Sequence, residues 1–366
     1  KITPVSVNRD AKSEFLSSTL NLMSRNILSQ DVKMIEPKFI DFSKDLEIDE
    51  MNSLPILYKR NNENERFQIS YVIAIGTNSD KKLKLATDYL QYLGTKNLSA
   101  SQKAEDFYKL GCNLSVNTTS KETKITLTGL SNNFEKSINL LEDILANSIA
   151  DEEALISLKT AYQKQKEDAK LNRQIILFSA MSSYAKYGNN SSFTNTINDK
   201  ELELITSADL LNIIHSLTKF KHKVLYYGPD NISDVKKLML EVHNTTELIE
   251  IIQKDLNVEK EMDSSKVYVI DYDMKQAEVI MFTKGEKLNN DEYSIIKFHN
   301  EYFGGGMSSI VFQDMRESKA LAYSVYSTFT IPKKSSDSHY GFSYVGTQAD
   351  KLGEAMQGMQ ALLEEM

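Results

Sequence analysis

The sequence predicts an α+β fold of two homologous α/β sandwich units, each an antiparallel-rich sheet with helices packed on one face, the second truncated at its C-terminus. Three observations predict it. A series of strands and helices in the first part of the chain recurs about 210 positions later, the signature of an internal repeat. The helices that close the two series carry their apolar residues in the same phase. The 366 residues suffice for two or three domains of roughly 150 residues, each with its own core.

The first series opens at 67–75, where large apolar and smaller residues alternate as in a strand packed on one face, and its counterpart is 277–282. A helix follows each strand. One carries Leu83, Leu85, Ala86, Tyr89, Leu90 and Leu93 and stops at Gly94; the other carries Tyr293, Ile295, Ile296, Phe298, Tyr302 and Phe303 and stops at Gly304-Gly305-Gly306. Glycine suits both ends because it adopts the left-handed conformation without a Cβ penalty. Ser99-Ala100-Ser101-Gln102 and Ser308-Ser309 then supply hydroxyls to cap a second helix in each copy. Strands are expected at 114–116 and 323–325, and again at 125–127 and 342–344. The closing helices present Phe134, Ile138, Leu141 and Leu145 in one copy and Leu352, Met356, Met359 and Leu363 in the other, each set lying along one helix face.

The first copy continues through a long helical stretch from 151 to 187, a loop rich in Asn and Ser, and a helix opened by Thr206 or Ser207. It finishes with the apolar strand 224–227, broken by Gly228-Pro229, and one more helix. The expected organisation is a connector at 1–52, containing Pro4 and Pro37, a first α+β domain at 53–260, and a second, incomplete one at 261–366. The chain begins Lys1-Ile2-Thr3-Pro4 and stops at Glu365-Met366 inside a helical pattern, so it is expected to be a piece of a longer polypeptide.

Charge and composition remove several classes of function. Lys and Arg number 43 against 51 Asp and Glu, a net charge of −8, the wrong sign for a chain that neutralises phosphates. No basic-aromatic stripe suggests a nucleic-acid partner. Cys112 is the single cysteine, which excludes an intrachain disulfide and a cysteine-rich zinc module and says nothing of compartment. No apolar run approaches the ~20 residues of a membrane span. The Asn- and Lys-rich loops and the lack of tryptophan suggest an AT-rich bacterial source, with a periplasmic or otherwise extracytoplasmic location as the expectation.

Metal binding finds no support in the spacing. His215, His222, His243, His299 and His339 include no pair three or four residues apart on a helix face, so each reads as a surface or core imidazole. Cys112 reads as a buried structural thiol. The glycines of Gly304-Gly305-Gly306-Met307-Ser308-Ser309 close a helix and precede no Lys-Ser or Lys-Thr, so they form a tight connection and not a phosphate loop. Arg316 and Tyr323 form a sharper pair. A helix-to-strand return could bring a guanidinium and a phenol to one edge, where together they can hold and polarise a peptide carbonyl. A surface arginine and a packed tyrosine is the plainer reading of the same residues.

At these residues the chain resembles the pitrilysin/insulinase family of zinc metallopeptidases, which includes the mitochondrial processing peptidases. The resemblance rests on Tyr302-Phe303-Gly304-Gly305-Gly306-Met307-Ser308-Ser309, Phe312-Gln313-Asp314-Met315-Arg316-Glu317 and Leu321-Ala322-Tyr323-Ser324-Val325, and extends back to about Leu54. It implies one half of an enzyme of four homologous domains enclosing a chamber, and the match is to the C-terminal, non-zinc half. The family's inverted His-x-x-Glu-His motif supplies two zinc ligands and the water-activating glutamate. The corresponding positions here are Leu85, Asp88 and Tyr89 in the first copy and Ile295, Phe298 and His299 in the second, so this chain alone is expected to bind no zinc and to be inactive. What carries over is Arg316 and Tyr323, which in the family reach across the chamber to bind substrate and stabilise the tetrahedral intermediate. Ala320 stands where relatives often carry glycine.

The resemblance therefore implies the substrate-binding half of a metalloendopeptidase, with peptide substrates as partners. Zinc is expected in an N-terminal catalytic half, on the same chain or on a partner subunit. The alternative is a catalytically inactive homologue serving as a scaffold or assembly subunit.

Overall fold

The computed structural model describes residues 36, 39–243, 245, 248–251, 256–332 and 336–365. The chain divides into two compact units, Lys1–Glu47 and Ile48–Met366. In the first, the described residues form a single helical turn, α1 (Phe42–Asp45), whose N-cap Asp41 accepts from the Ser43 amide. Most of the expected connector lies outside the described residues. Its last residues differ from the expectation, because β1 (Glu47–Met51) is the edge strand of a sheet. Asn52 and Ser53 both have positive φ, 49° and 63°, and a two-residue turn of that kind matches the twist of paired strands and folds the chain back into the next one.

The larger unit contains two lobes. The first runs through β2 (Leu54–Arg60), β3 (Arg66–Ile73), α2 (Leu83–Tyr89), α3 (Ala100–Lys109), β4 (Asn113–Thr118), β5 (Thr123–Leu130), α4 (Phe134–Asn147) and α5 (Glu152–Leu171). The expected single long helix is broken after α5 into a π-helical segment (Ile175–Met181) and α6 (Ser182–Tyr187). The lobe closes with α7 (Asp199–Leu204), α8 (Ser207–Ser216), β6 (His222–Gly228) and α9 (Ile232–Val242). Ser99 and Thr206 are the caps of α3 and α8, each in a reciprocal capping box, with Gln102 and Asp209.

The strands form a six-stranded sheet in the order β1-β2-β6-β3-β5-β4. The pairing is antiparallel except where β6 runs parallel to β2, with Ile56 opposite Val224; its other side is antiparallel to β3, with Ile69 opposite Tyr226. Alternate residues of β2, β3, β5 and β6 face the helices: Ile56, Ile69, Leu127 and Val224 pack with Ile138, Leu141, Leu210 and Ile214 in one core.

The second lobe contains β7 (Gln276–Lys287), α10 (Tyr293–His299) ending in a π turn (Asn300–Gly304), a further π-helical segment (Phe312–Ser318), β8 (Ser324–Thr330), β9 (Ser338–Gln348) and α11 (Leu352–Glu364). Its sheet has the order β7-β9-β8, the order in which β3, β5 and β4 are arranged in the first lobe. The sequence repeat is therefore a repeat of topology. The glycines that end the two motif helices act alike. A Cβ at Gly94 would overlap the Leu98 carbonyl oxygen, and one at Gly304 the Ser327 carbonyl oxygen, so both are close-approach positions.

The π-helical segment and α6 of the first lobe lie against the sheet of the second. The Phe178 ring meets Phe342 and Tyr344 at 6.0 and 5.2 Å, and the Lys186 ammonium stands 4.9 and 4.3 Å from the ring centres of Phe282 and Tyr340. Arg173 pairs with Glu278 at 3.3 Å.

A polar cluster is buried beside β6. His222 Nδ1 lies 2.6 Å from the Phe220 carbonyl, which can only accept, so this nitrogen carries the proton. His222 Nε2 then accepts from His243 Nε2 at 3.0 Å. His243 Nδ1 meets Glu142 at 2.9 Å, and the Tyr71 hydroxyl donates to the same carboxyl oxygen at 2.5 Å. Burial pushes His222 down to about 4.

Two outcomes are expected. The unfolded chain takes up the His222 proton near pH 6.5, whereas the folded one resists until about 4, so this contribution is present above 6.5 and lost as pH falls through that window. Urea midpoints should drop between those values by an amount corresponding to about 3 kcal/mol, and His222→Gln should flatten that part of the curve. Gly304→Ala should destabilise the protein by at least about 2 kcal/mol in the same assay, because the opposing atom is backbone.

Candidate functional site

Arg316 and Tyr323 flank one helix–turn–strand unit of the second lobe. Ser309, 1% exposed, opens the helix: its hydroxyl donates to the Gly306 carbonyl at 2.9 Å and accepts from the Phe312 amide at 3.3 Å. Val311 and Met315 anchor the inner face in the core. The segment then widens to π geometry, a local feature that recurs at functional sites. Arg316 is left outward, its guanidinium 4.8 Å from the Phe312 ring centre and its Nε 3.7 Å from Glu317.

The turn that follows is held from both sides. The Lys319 amide donates to the Asp314 carbonyl at 2.9 Å and the Leu321 amide to the Met315 carbonyl at 2.8 Å. Ala320 between them has φ +50°, the left-handed region. From the end of β9, Thr347 Oγ1 donates to the Leu321 carbonyl at 2.6 Å, and Lys351 Nζ reaches the Ala320 carbonyl at 3.3 Å. Tyr323 enters β8 with its amide on the Gly346 carbonyl at 2.8 Å, and its side chain is 54% exposed. The phenol oxygen accepts from Gln348 Nε2 at 2.5 Å, which leaves its own proton free to donate outward.

Arg316 and Tyr323 thus sit on one rigid turn, exposed, with separate partners and no hydrogen bond to each other among the described contacts. A cleft of about 560 Å³ lies beside the turn, between the glycines 304–306 and the β8 edge, and is lined by Lys297, Asn300, Tyr326 and Thr328. Neither Arg316 nor Tyr323 lines it. Gln348 and Thr347 were not legible as site residues, since their role depends on the β8–β9 register.

The zinc-motif positions do not fit a metal. Leu85 is fully buried, Asp88 pairs with Lys84, and the buried Tyr89 hydroxyl donates to the Asp151 carbonyl at 2.7 Å while accepting from the Asp151 amide at 2.9 Å. In the second lobe Ile295 and Phe298 are apolar, and His299 is stacked between Phe303 and Phe329. Among the described residues no three His, Cys, Asp or Glu side chains are grouped to hold a metal ion. His222 and His243 bond to each other directly, with Glu142 on the far nitrogen of His243, so they do not converge on one point. Cys112 lies just before β4, partly buried, 2.8 Å from Ser137 Oγ.

Two sequence profiles of one peptidase family match this architecture: "Insulinase (Peptidase family M16)" over residues 57–200 and "Peptidase M16 inactive domain" over 222–366. The chain belongs to the M16 insulinase family. A Bacillus subtilis protein called uncharacterized zinc protease YmxG is 28% identical over 287 residues, covering 75% of this chain and 66% of the relative. The crystal structure of a peptidase M16 inactive domain from Pseudomonas fluorescens superimposes with a TM-score of 0.66 at 17% identity, over 88% of this chain and 79% of that one. The ferredoxin protease FusC, in complex with Arabidopsis ferredoxin, has a TM-score of 0.70 at 10% identity, over 99% of this chain and 42% of FusC. The chain therefore spans about two thirds of the curated relative and less than half of FusC.

Within this M16 chain the left-handed Ala320 is a testable element of the site. Ala320→Gly should stabilise the fold by about 0.5–1 kcal/mol, because the Cβ strain at φ +50° exceeds the entropy that glycine adds to the unfolded chain. Thermal and urea denaturation check it.

Proposed function

We propose that this chain is the substrate-binding, non-zinc half of an M16 metalloendopeptidase acting on peptides in an enclosed chamber. The observation that carries the reading is the Arg316–Tyr323 turn: two exposed, charge-stabilising donors fixed on a braced backbone, in a protein whose own motif positions are filled by Leu85, Tyr89, Ile295 and Phe298. The catalytic metal then has to be carried by an N-terminal half or a partner subunit. Arg316 holds a peptide carbonyl by its guanidinium. Tyr323, already accepting a hydrogen bond from Gln348, donates its phenolic proton to the oxygen that gains negative charge in the tetrahedral intermediate. Fixed donors that need no reorganisation favour that intermediate over the planar substrate. An extracytoplasmic location is compatible with this role.

In the peptidase assembled with its zinc-bearing half, Tyr323→Phe should lower kcat roughly 100-fold and leave zinc content unchanged. Arg316→Lys should weaken substrate binding as well, since lysine cannot offer the planar two-donor fork. Full turnover by Tyr323→Phe would remove this assignment. An assembled wild-type protein without peptidase activity would favour the scaffold role instead.

A further inference from the structure

The two lobes share one topology but cover it unequally. In the first lobe the segment 207–228 performs two tasks. Its helix α8 packs on α2, so that Leu83 and Leu85 are 1% and 0% exposed, and its strand β6 fills the place between β2 and β3. In the second lobe the counterparts of both surfaces are bare. Tyr293 and Ile295, which match Leu83 and Leu85, are 45% and 68% exposed, and Phe298 one turn on is 73% exposed. Strand β7, the counterpart of β3, is hydrogen-bonded to β9 alone, so its other edge is open. Just before β7, where β2 precedes β3, the run Val267, Tyr268, Val269 and Ile270 is in no strand, with Val267 and Val269 89% and 84% exposed.

We propose that this surface of the second lobe is a docking site for one helix–strand segment, and that the occupant is a stretch of the same polypeptide C-terminal to Met366. The strand runs antiparallel to β7 and parallel to 267–270, as β6 runs to β3 and β2, and the helix lies over Ile295 and Phe298 as α8 lies over Leu85. The chemistry required follows from the template: alternating apolar residues like Val224 and Tyr226 in the strand, and an apolar stripe like Leu210 and Ile214 in the helix. Chain order selects the source. In the first lobe the covering segment follows the closing helix α4, and α11 is the counterpart of α4. A second copy is the poorer occupant, because its own 207–228 segment is already paired to β2 and β3 and buried in its own core. A bare sheet edge beside exposed valines would otherwise be an aggregation site.

Amide hydrogen exchange on the 366-residue chain and on the polypeptide extended by its native continuation tests this. At 267–270 and at the outward amides of β7, exchange should be fast in the shorter chain and slowed at least roughly 100-fold in the longer one. In a Cys112→Ser background, Phe298→Cys should react rapidly with a thiol reagent in the shorter chain and slowly in the longer one, a readout that does not depend on the folding of a disruptive variant. Equal exchange and equal labelling in the two chains would overturn the proposal. Protection that appears in the 366-residue chain as its concentration rises would assign the surface to a second copy. A native reading frame that ends at Met366 would rule out the proposed source.

Discussion

Hydrogen bonds on both sides of β6 join the two parts of the first sheet. In the order β1-β2-β6-β3-β5-β4, removal of β6 would leave the β1-β2 pair with no ladder to the β3-β5-β4 group. The chain delivers this strand only after several helices, so its pairing carries a large loop-closure cost that has to be recovered by burial. The strand recovers it at alternate residues. Val224 is fully buried, Tyr226 stacks on Tyr58 at 5.7 Å and bonds to Asp230, and His222 enters the Glu142–His243 cluster. A strand with so many obligations holds register firmly, since a one-residue slip would exchange its buried and exposed faces.

The same structural unit has been put to different uses in the two lobes. At the positions where the M16 family carries its zinc ligands, the first lobe places Leu85 in the core and uses Tyr89 to tie α2 to the backbone before α5. Lys103 completes that tie by donating to the carbonyls of Leu90, Gln91 and Leu93 at 2.6 to 3.1 Å. Burial lowers its pKa to about 8. The second lobe keeps the glycine turn and the helix after it, and there the exposed polar side chains are Arg316 and Tyr323. Chemistry has moved from the motif helix to the following turn.

Features set by local pattern were legible in the sequence, and those set by distant partners were not. The Ser99 and Thr206 caps, the apolar face of α4 and the close-approach glycines follow from neighbouring residues. The parallel β2–β6 pair and the His222–His243 contact join residues far apart in sequence, and no spacing rule finds them. The break of the long helix after Leu171 follows from packing: Phe178 is turned onto the aromatic face of the second sheet. At the site, the sequence pointed to Arg316 and Tyr323 by type and order. The left-handed Ala320 escaped notice because alanine carries no signature for positive φ, and Gln348 because its partner is set by strand register.

The aromatic contacts of Phe178 and the Lys186 ammonium between Phe282 and Tyr340 separate two kinds of continuity in this molecule. Covalently, the lobes are joined by the residues after α9. Mechanically, they are joined by a helix that leaves the first lobe well before that point and lies on the second sheet. A protease cut in the covalent link would yield two polypeptides and one particle, and the residues that govern how the lobes move together are those of the first lobe's helix, not those of the linker.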